Sequence, residues 1–224
     1  MRDVIFLGHK VSERGIEPDP EKVRTITDMK APENKTELRS FMGMVNYLCK
    51  FSARLTEIQR PLRELGKKDS AWVWDEPQRR SFEAVKREIS GAPVLAKYEL
   101  RARHRVSADS SSYALGAALL QENDKAQWQP VTFASRRLTE AEKNYAQIEK
   151  EALAVTWACE KFDFFLVGTT FEIETDHKPL ISLLGKADLA NLPLRVQRFK
   201  MRLMRYDYEI HHTPGSQMYL ADLF

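Results

Sequence analysis

The sequence predicts an α/β protein: a mixed five-stranded sheet with helices on its faces, preceded by a small, mostly helical module. Two observations carry this. From residue 99 the apolar patterning reads strand, strand, strand, helix, strand, helix, strand. A meander followed by strand–helix alternation builds a mixed sheet covered by helices. Before residue 70 the chain instead offers one helical pattern after another, most of them opened by a capping residue.

In chain order, residues 4–7 and 10–12 read as a short hairpin that runs toward a helix. Asp19 suits its N-cap and Pro20 its first residue, where a missing N–H leaves nothing unpaired. This helix stops before Pro32. Asn34, with Glu37 three residues on, forms a capping-box pattern ahead of Leu38, Phe41, Val45 and Leu48. A third helix is expected over residues 55–65, on Leu55, Ile58, Leu62 and Leu65. Trp72 and Trp74 mark a change of character, and Asp75 caps a helix carrying Phe82, Val85 and Ile89 that Gly91 and Pro93 end. The division is therefore a helical module at 1–70, a connecting segment with a helix at 71–98, and the sheet domain at 99–224.

Strands in that domain are expected at 105–109, 114–121, 129–135, 170–175 and 207–211. One long helix is expected from Thr139, where Glu142 completes another capping box, to about Leu166. Tyr145, Ile148, Ala152, Val155, Cys159 and Phe162 form one apolar stripe, and Leu153 and Trp157 add a second on the opposite side. A helix apolar on two sides is covered on two sides, so this one is central.

An apolar fraction of 43% excludes a disordered chain. No apolar run reaches the ~18 residues of a membrane span and no leader pattern opens the chain, so no membrane partner is expected. Cys49 and Cys159 have no metal-type spacing and read as buried free thiols in a reducing, intracellular compartment. A formal charge of +3 does not by itself imply nucleic acid.

Several acids occupy comparable places in this topology. Asp109 ends the first strand of the domain, Glu149 and Glu151 lie in the central helix, Asp176 ends the fourth strand, and Asp222 follows the fifth. Strand ends are where α/β sheets build their sites. Carboxylates converging on one edge repel unless a cation neutralises them, and hard divalent ions take oxygen ligands. Taken singly, Asp109 or Asp176 is more often a strand-end turn former, Glu151 a solvated helix residue, and Asp222 an ordinary terminal acid. Helical phase places Glu151 somewhat nearer the core stripe than Glu149. In "LRVQRFKMRLMRY", Arg195, Arg198, Arg202 and Arg205 recur at steps of three, four and three beside an apolar stripe of Val196, Phe199, Leu203 and Tyr206. Such a stripe is either a solvated face or a row of phosphate contacts, the latter weakening steeply with salt. Lys30, Lys35, Arg39, Lys50 and Arg54 make a second basic candidate surface.

The stretches "FLGHKVSERGIEPDPEKV", "ELRSFMGMVNYLCKF", "PLREL" followed by "WVW", "APVL" and "SADSSSYALGAALLQ" carry a resemblance. It continues through "PVTFASRRLTEAEKNYAQIEKEALAV", "ETDHKPL" and "PLRVQRFKMRLMRYDYEIHHTPGSQMYLAD". Over nearly its whole length the chain resembles the C-terminal part of a gypsy-type LTR retrotransposon reverse transcriptase: thumb, connection and ribonuclease H domain. The resemblance implies a thumb-like module followed by a ribonuclease H-like sheet. It also implies that Asp109, Glu151, Asp176 and Asp222 hold two Mg2+ ions, with Mn2+ as the alternative. In "IEKEALAV" it selects Glu151, the acid just before the apolar run. The implied reaction is hydrolysis of the RNA strand of an RNA–DNA hybrid. One ion would activate water and the other would stabilise the leaving 3′ oxygen, with a ribose 2′-OH marking the RNA strand. His212, ten residues before Asp222, suits an exposed loop histidine or a group that would shuttle a proton to the leaving oxygen. Implied partners are the hybrid, a primer–template duplex gripped by the thumb-like module, and the rest of the polyprotein, in the cytoplasm or in virus-like particles.

The chain departs from the pattern in three places. Asp109-Ser110-Ser111 stands where the family reads Asp-Ala-Ser. The Tyr-x-Asp-Asp element of a polymerase palm is absent, so these residues are not expected to polymerise DNA. The family continues past Asp222 into a last helix, so the domain is expected to be truncated there and the fourth ligand less firmly placed. The competing readings are a non-catalytic nucleic-acid-binding remnant and a structural connection of a retroelement polymerase.

Overall fold

The computed structural model describes residues 3–220. Contacts divide the chain into two compact units, with the boundary between Lys97 and Tyr98.

The first unit opens with an antiparallel sheet, β1 (Val4–Phe6), β2 (His9–Ser12) and β3 (Gly15–Pro18), so the expected hairpin gains a third strand. The added strand is secured from far along the chain: Ile16 and Leu95 exchange backbone hydrogen bonds at 2.8 Å in both directions. A Cβ at Gly15, which has φ +137°, would lie 2.2 Å from the Leu95 carbonyl oxygen, so only glycine admits this approach.

Helix α1 (Pro20–Asp28) starts as the sequence predicts, with Asp19 accepting from the Glu21 N–H. In α2 (Lys35–Tyr47) the Asn34 side chain accepts from both Thr36 and Glu37 N–H groups. The expected helix over 55–65 is instead two, α3 (Leu55–Ile58) and α4 (Arg60–Leu65). Pro61 has no N–H to give the preceding turn, and the helix breaks there. Helix α5 (Glu76–Ser90) packs on α1, α3 and α4, and the Phe82 ring lies 4.6 Å from that of Phe41. Residues 71–97, expected as a separate connecting segment, thus cluster with the first unit because their apolar face is buried there.

The second unit is built on a five-stranded sheet of β4 (His104–Ser110), β5 (Ala114–Glu122), β6 (Trp128–Arg137), β7 (Thr170–Thr175) and β8 (Asp207–His212). Its order is β6-β5-β4-β7-β8. The first three strands are antiparallel neighbours, while β4–β7 and β7–β8 are parallel. Every expected strand is present within one or two residues at its ends.

The long helix expected over 139–166 is three pieces: α6 (Glu140–Lys143), α7 (Gln147–Lys161) and α8 (Asp163–Leu166). Thr139 and Glu142 cap α6 reciprocally, as expected. The chain then leaves the helix through Ala146, at φ −59° and ψ 153°, and restarts. The Glu149 carboxylate stabilises the restart by reaching back to accept from the Ala146 N–H at 3.0 Å. Tyr145 therefore lies in the break and not in the helical stripe.

Helix α7 is central, as its two apolar sides require. It packs on β4 and β5, and α9 (Leu194–Leu203) packs on α7. Ala152, Val155, Ala158 and Cys159 are fully buried between these layers. Before α9, one wide turn of π-helix, Ile181–Lys186, is held by Lys200, whose ammonium donates to the carbonyl oxygens of Gly185 (2.7 Å) and Ala187. No helix among the described residues is long and apolar enough to cross a membrane.

Candidate functional site

Parallel pairing creates the site. Ser107 of β4 stands opposite Glu174 of β7. Two residues further along each strand, Asp109 and Asp176 come level at one edge of the sheet. On the other side of β7, Thr175 is in register with His212 of β8, which brings His212 to the same edge. The first turns of α7 deliver Glu151 from above.

One oxygen each from Asp109, Glu151 and Asp176 lies within 4.8 Å of the other two. The three side chains differ in surroundings: Asp109 is half-buried, Glu151 is buried, and Asp176 is exposed. Burial raises the Glu151 carboxyl from 4.5 to about 7, opposed by the Ser110 hydroxyl and reinforced by the charges of Asp109 and Asp176. Asp109 is raised by burial and by Asp176, while the Ser110 N–H opposes the shift. No lysine or arginine forms an ion pair with any of the three among the described residues. A hard divalent cation fits this cluster, because its donors are all oxygen and their mutual repulsion is otherwise uncompensated.

Two donors missed in the sequence surround Glu151. Ser110 Oγ donates to Glu151 Oε1 at 2.6 Å, and Gln147 Nε2 donates to the same oxygen. Ser110 showed itself in the sequence only as a departure from the family's Asp-Ala-Ser pattern, and Gln147 gave no signal. Glu149, the alternative to Glu151, is absorbed elsewhere. It caps α7 and pairs with Arg195 Nη1 at 2.6 Å. Asp222 lies outside the described residues. The chain leading toward it is tied to β7 by the Thr213 N–H on the Thr175 carbonyl (2.9 Å) and by the Tyr219 N–H on buried Glu174 (3.0 Å).

The arginine stripe runs along α9 beside α7. Arg195 sits at the site end, paired with Glu149 and lying 3.9 Å from the Tyr145 ring centre. Arg202 pairs with Glu160, and Arg205 lies 3.1 Å from Asp163. Glu160 follows Glu151 by nine residues, so Arg202 is roughly 13 Å down the helix from the acids. Arg198 is exposed and stands outside these pairs.

Comparison with known proteins identifies the family. Residues 74–173 match the RNase H-like domain found in reverse transcriptase, a span that includes Asp109 and Glu151. The Tf2-3 and Tf2-4 transposon polyproteins of Schizosaccharomyces pombe are each 33% identical over 222 residues, 98% of this chain. The chain belongs to the reverse transcriptase–RNase H region of retrotransposon polyproteins. This region spans 16% of the length of those curated relatives. Its fold is also found within the foamy viral protease-reverse transcriptase. The structure of that protein in complex with RNA/DNA hybrid gives a TM-score of 0.76 at 21% identity, covering 94% of this chain and 29% of that one. A complex of the same viral protein with dsDNA gives 0.75 at 20% identity, covering 95% and 45%.

Proposed function

We propose that this retrotransposon region hydrolyses the RNA strand of RNA–DNA hybrids in a divalent-metal-dependent reaction. The observation that carries the reading is the convergence of Asp109, Glu151 and Asp176 from three elements, with no lysine or arginine paired to them among the described residues. With Asp222 as a fourth carboxylate, these residues would hold Mg2+, or Mn2+ in its place. The ions would neutralise charge on the scissile phosphate and lower the pKa of an attacking water.

The chain's own groups divide the remaining work. Exposed Asp176 faces the approaching backbone, whereas buried Glu151 is fixed from behind by Ser110 and Gln147. Water's oxygen bonds to phosphorus, the bond to the 3′ oxygen breaks, and the departing oxygen takes a proton. His212, at the same sheet edge, supplies that proton. Arg198, exposed and outside the ion pairs, contacts phosphate directly, whereas Arg195 does so by giving up its pair with Glu149. Arg202 and Arg205 likewise act only by exchanging an existing ion pair for a phosphate. The setting is intracellular, in the cytoplasm or in virus-like particles, beside the rest of the polyprotein and a primer–template duplex.

The test is cleavage of a labelled hybrid in Mg2+ by the parent, Asp109→Asn and Asp176→Asn. The parent cleaves the RNA strand only, and each variant is inactive but folded. Equal cleavage by all three refutes the site. Hybrid binding without cleavage by the parent establishes the non-catalytic alternative.

A further inference from the structure

Ser110 is the last residue of β4 and is 8% exposed. Its backbone N–H donates to Asp109 Oδ1 at 2.7 Å, and its hydroxyl donates to Glu151 Oε1 at 2.6 Å. A single residue thus bonds two of the three clustered acids, one on its own strand and one on α7. We infer that Ser110 is a positioning residue that sets the spacing of Asp109 and Glu151, so that both carboxylates are held ready for one divalent cation. The inference rests on the reading of these acids as metal ligands.

The physical argument begins with freedom and repulsion. A glutamate side chain turns about three bonds, and beside two other carboxylates it is pushed toward any rotamer that increases the separation. Packing alone does not fix where a carboxylate points; directional donors do. Ser110 suits this role because its hydroxyl hangs on a strand hydrogen-bonded along β5 and β7, with little freedom of its own. Gln147, one helical turn before Glu151, donates to the same oxygen and lies 3.3 Å from Ser110 Oγ. It is the weaker clamp, being a long and exposed side chain on the first turn of α7. An alanine in place of Ser110 keeps the N–H bond to Asp109 and loses the hydroxyl's bonds, the donation to Glu151 and the longer one accepted from Gln147. The two functions of the residue are therefore separable by mutation.

The experiment measures Mn2+ binding to the full chain by the loss of the free-ion electron paramagnetic resonance signal, alongside hybrid cleavage at fixed Mn2+. The proteins are the parent, Asp109→Asn, Ser110→Ala, Ser110→Thr and Ser110→Val. Loss of a group that orients a metal ligand weakens affinity about 10-fold. That is the expectation for alanine and valine, whereas threonine, which keeps the hydroxyl, binds as the parent does. For the three Ser110 variants the KM for hybrid is unchanged, and the cleavage rate at low Mn2+ follows the binding. Threonine and valine share a shape, so a packing fault strikes both and their difference isolates the hydroxyl. Equal Mn2+ affinity for threonine and valine, or parental affinity for alanine, overturns the role of Ser110. Parental affinity in Asp109→Asn instead overturns the metal reading beneath it.

Discussion

Replacing Glu151 by glutamine should stabilise the metal-free protein, and increasingly so as the pH rises. Glu151 is 4% exposed, and its carboxyl is raised from 4.5 to about 7 by burial and by two neighbouring acids. The folded state therefore keeps the proton to a higher pH than the unfolded chain does. The stability conferred by the neutral form is complete below pH 4.5 and is lost as the pH rises through about 7. At 1.36 kcal/mol per pH unit, the full loss is about 3 kcal/mol, of which about 2 kcal/mol falls between pH 5.5 and pH 8. Glutamine cannot ionise and escapes this loss, while its amide oxygen can still accept from Ser110. The assay is urea unfolding of parent and variant in EDTA across that pH range. The variant's advantage should grow by about 2 kcal/mol. A flat difference between the two proteins would refute the reasoning, because it would mean that Glu151 is not buried beside other charges.

Other outcomes follow from the same geometry. Glu149→Gln should keep hybrid cleavage and lose at most about 1 kcal/mol, since its pair with Arg195 is partly exposed; rates and urea midpoints check this. Mg2+ should raise the unfolding temperature of the parent and not that of Asp176→Asn, as differential scanning fluorimetry would show. Arg198→Ala should reduce the salt slope of hybrid binding by about one, whereas Arg202→Ala, which removes a group engaged with Glu160, should change it less. His212→Ala should slow cleavage between pH 6 and pH 8, and parental rates throughout would remove the histidine from the mechanism.

What the sequence determined by itself was local, or carried by motif. Asp19, Asn34, Asp75 and Thr139 were readable as helix starts because a capping side chain bonds only N–H groups two or three residues away. Strand positions and the central helix were readable because apolar periodicity records which faces are covered. Asp109, Glu151 and Asp176 were nameable as candidates because the stretches around them resemble a family. Tertiary structure decided the rest. Strand β3 pairs with β2 and is secured on its other side by Leu95, nearly eighty residues away. The break before α7 contains no proline or glycine to announce it; Glu149 capping Ala146 and Arg195 lying over Tyr145 hold it in place. The stripe Arg195, Arg202 and Arg205 reads as free positive charge until α9 is laid against the acids of α7 and α8. The meeting of the three acids depends on the parallel register of β4 with β7 and on the Ser110 hydroxyl beneath Glu151. A periodicity reports which face of an element is buried, but only the pairing of elements fixes which atoms lie within reach of one another.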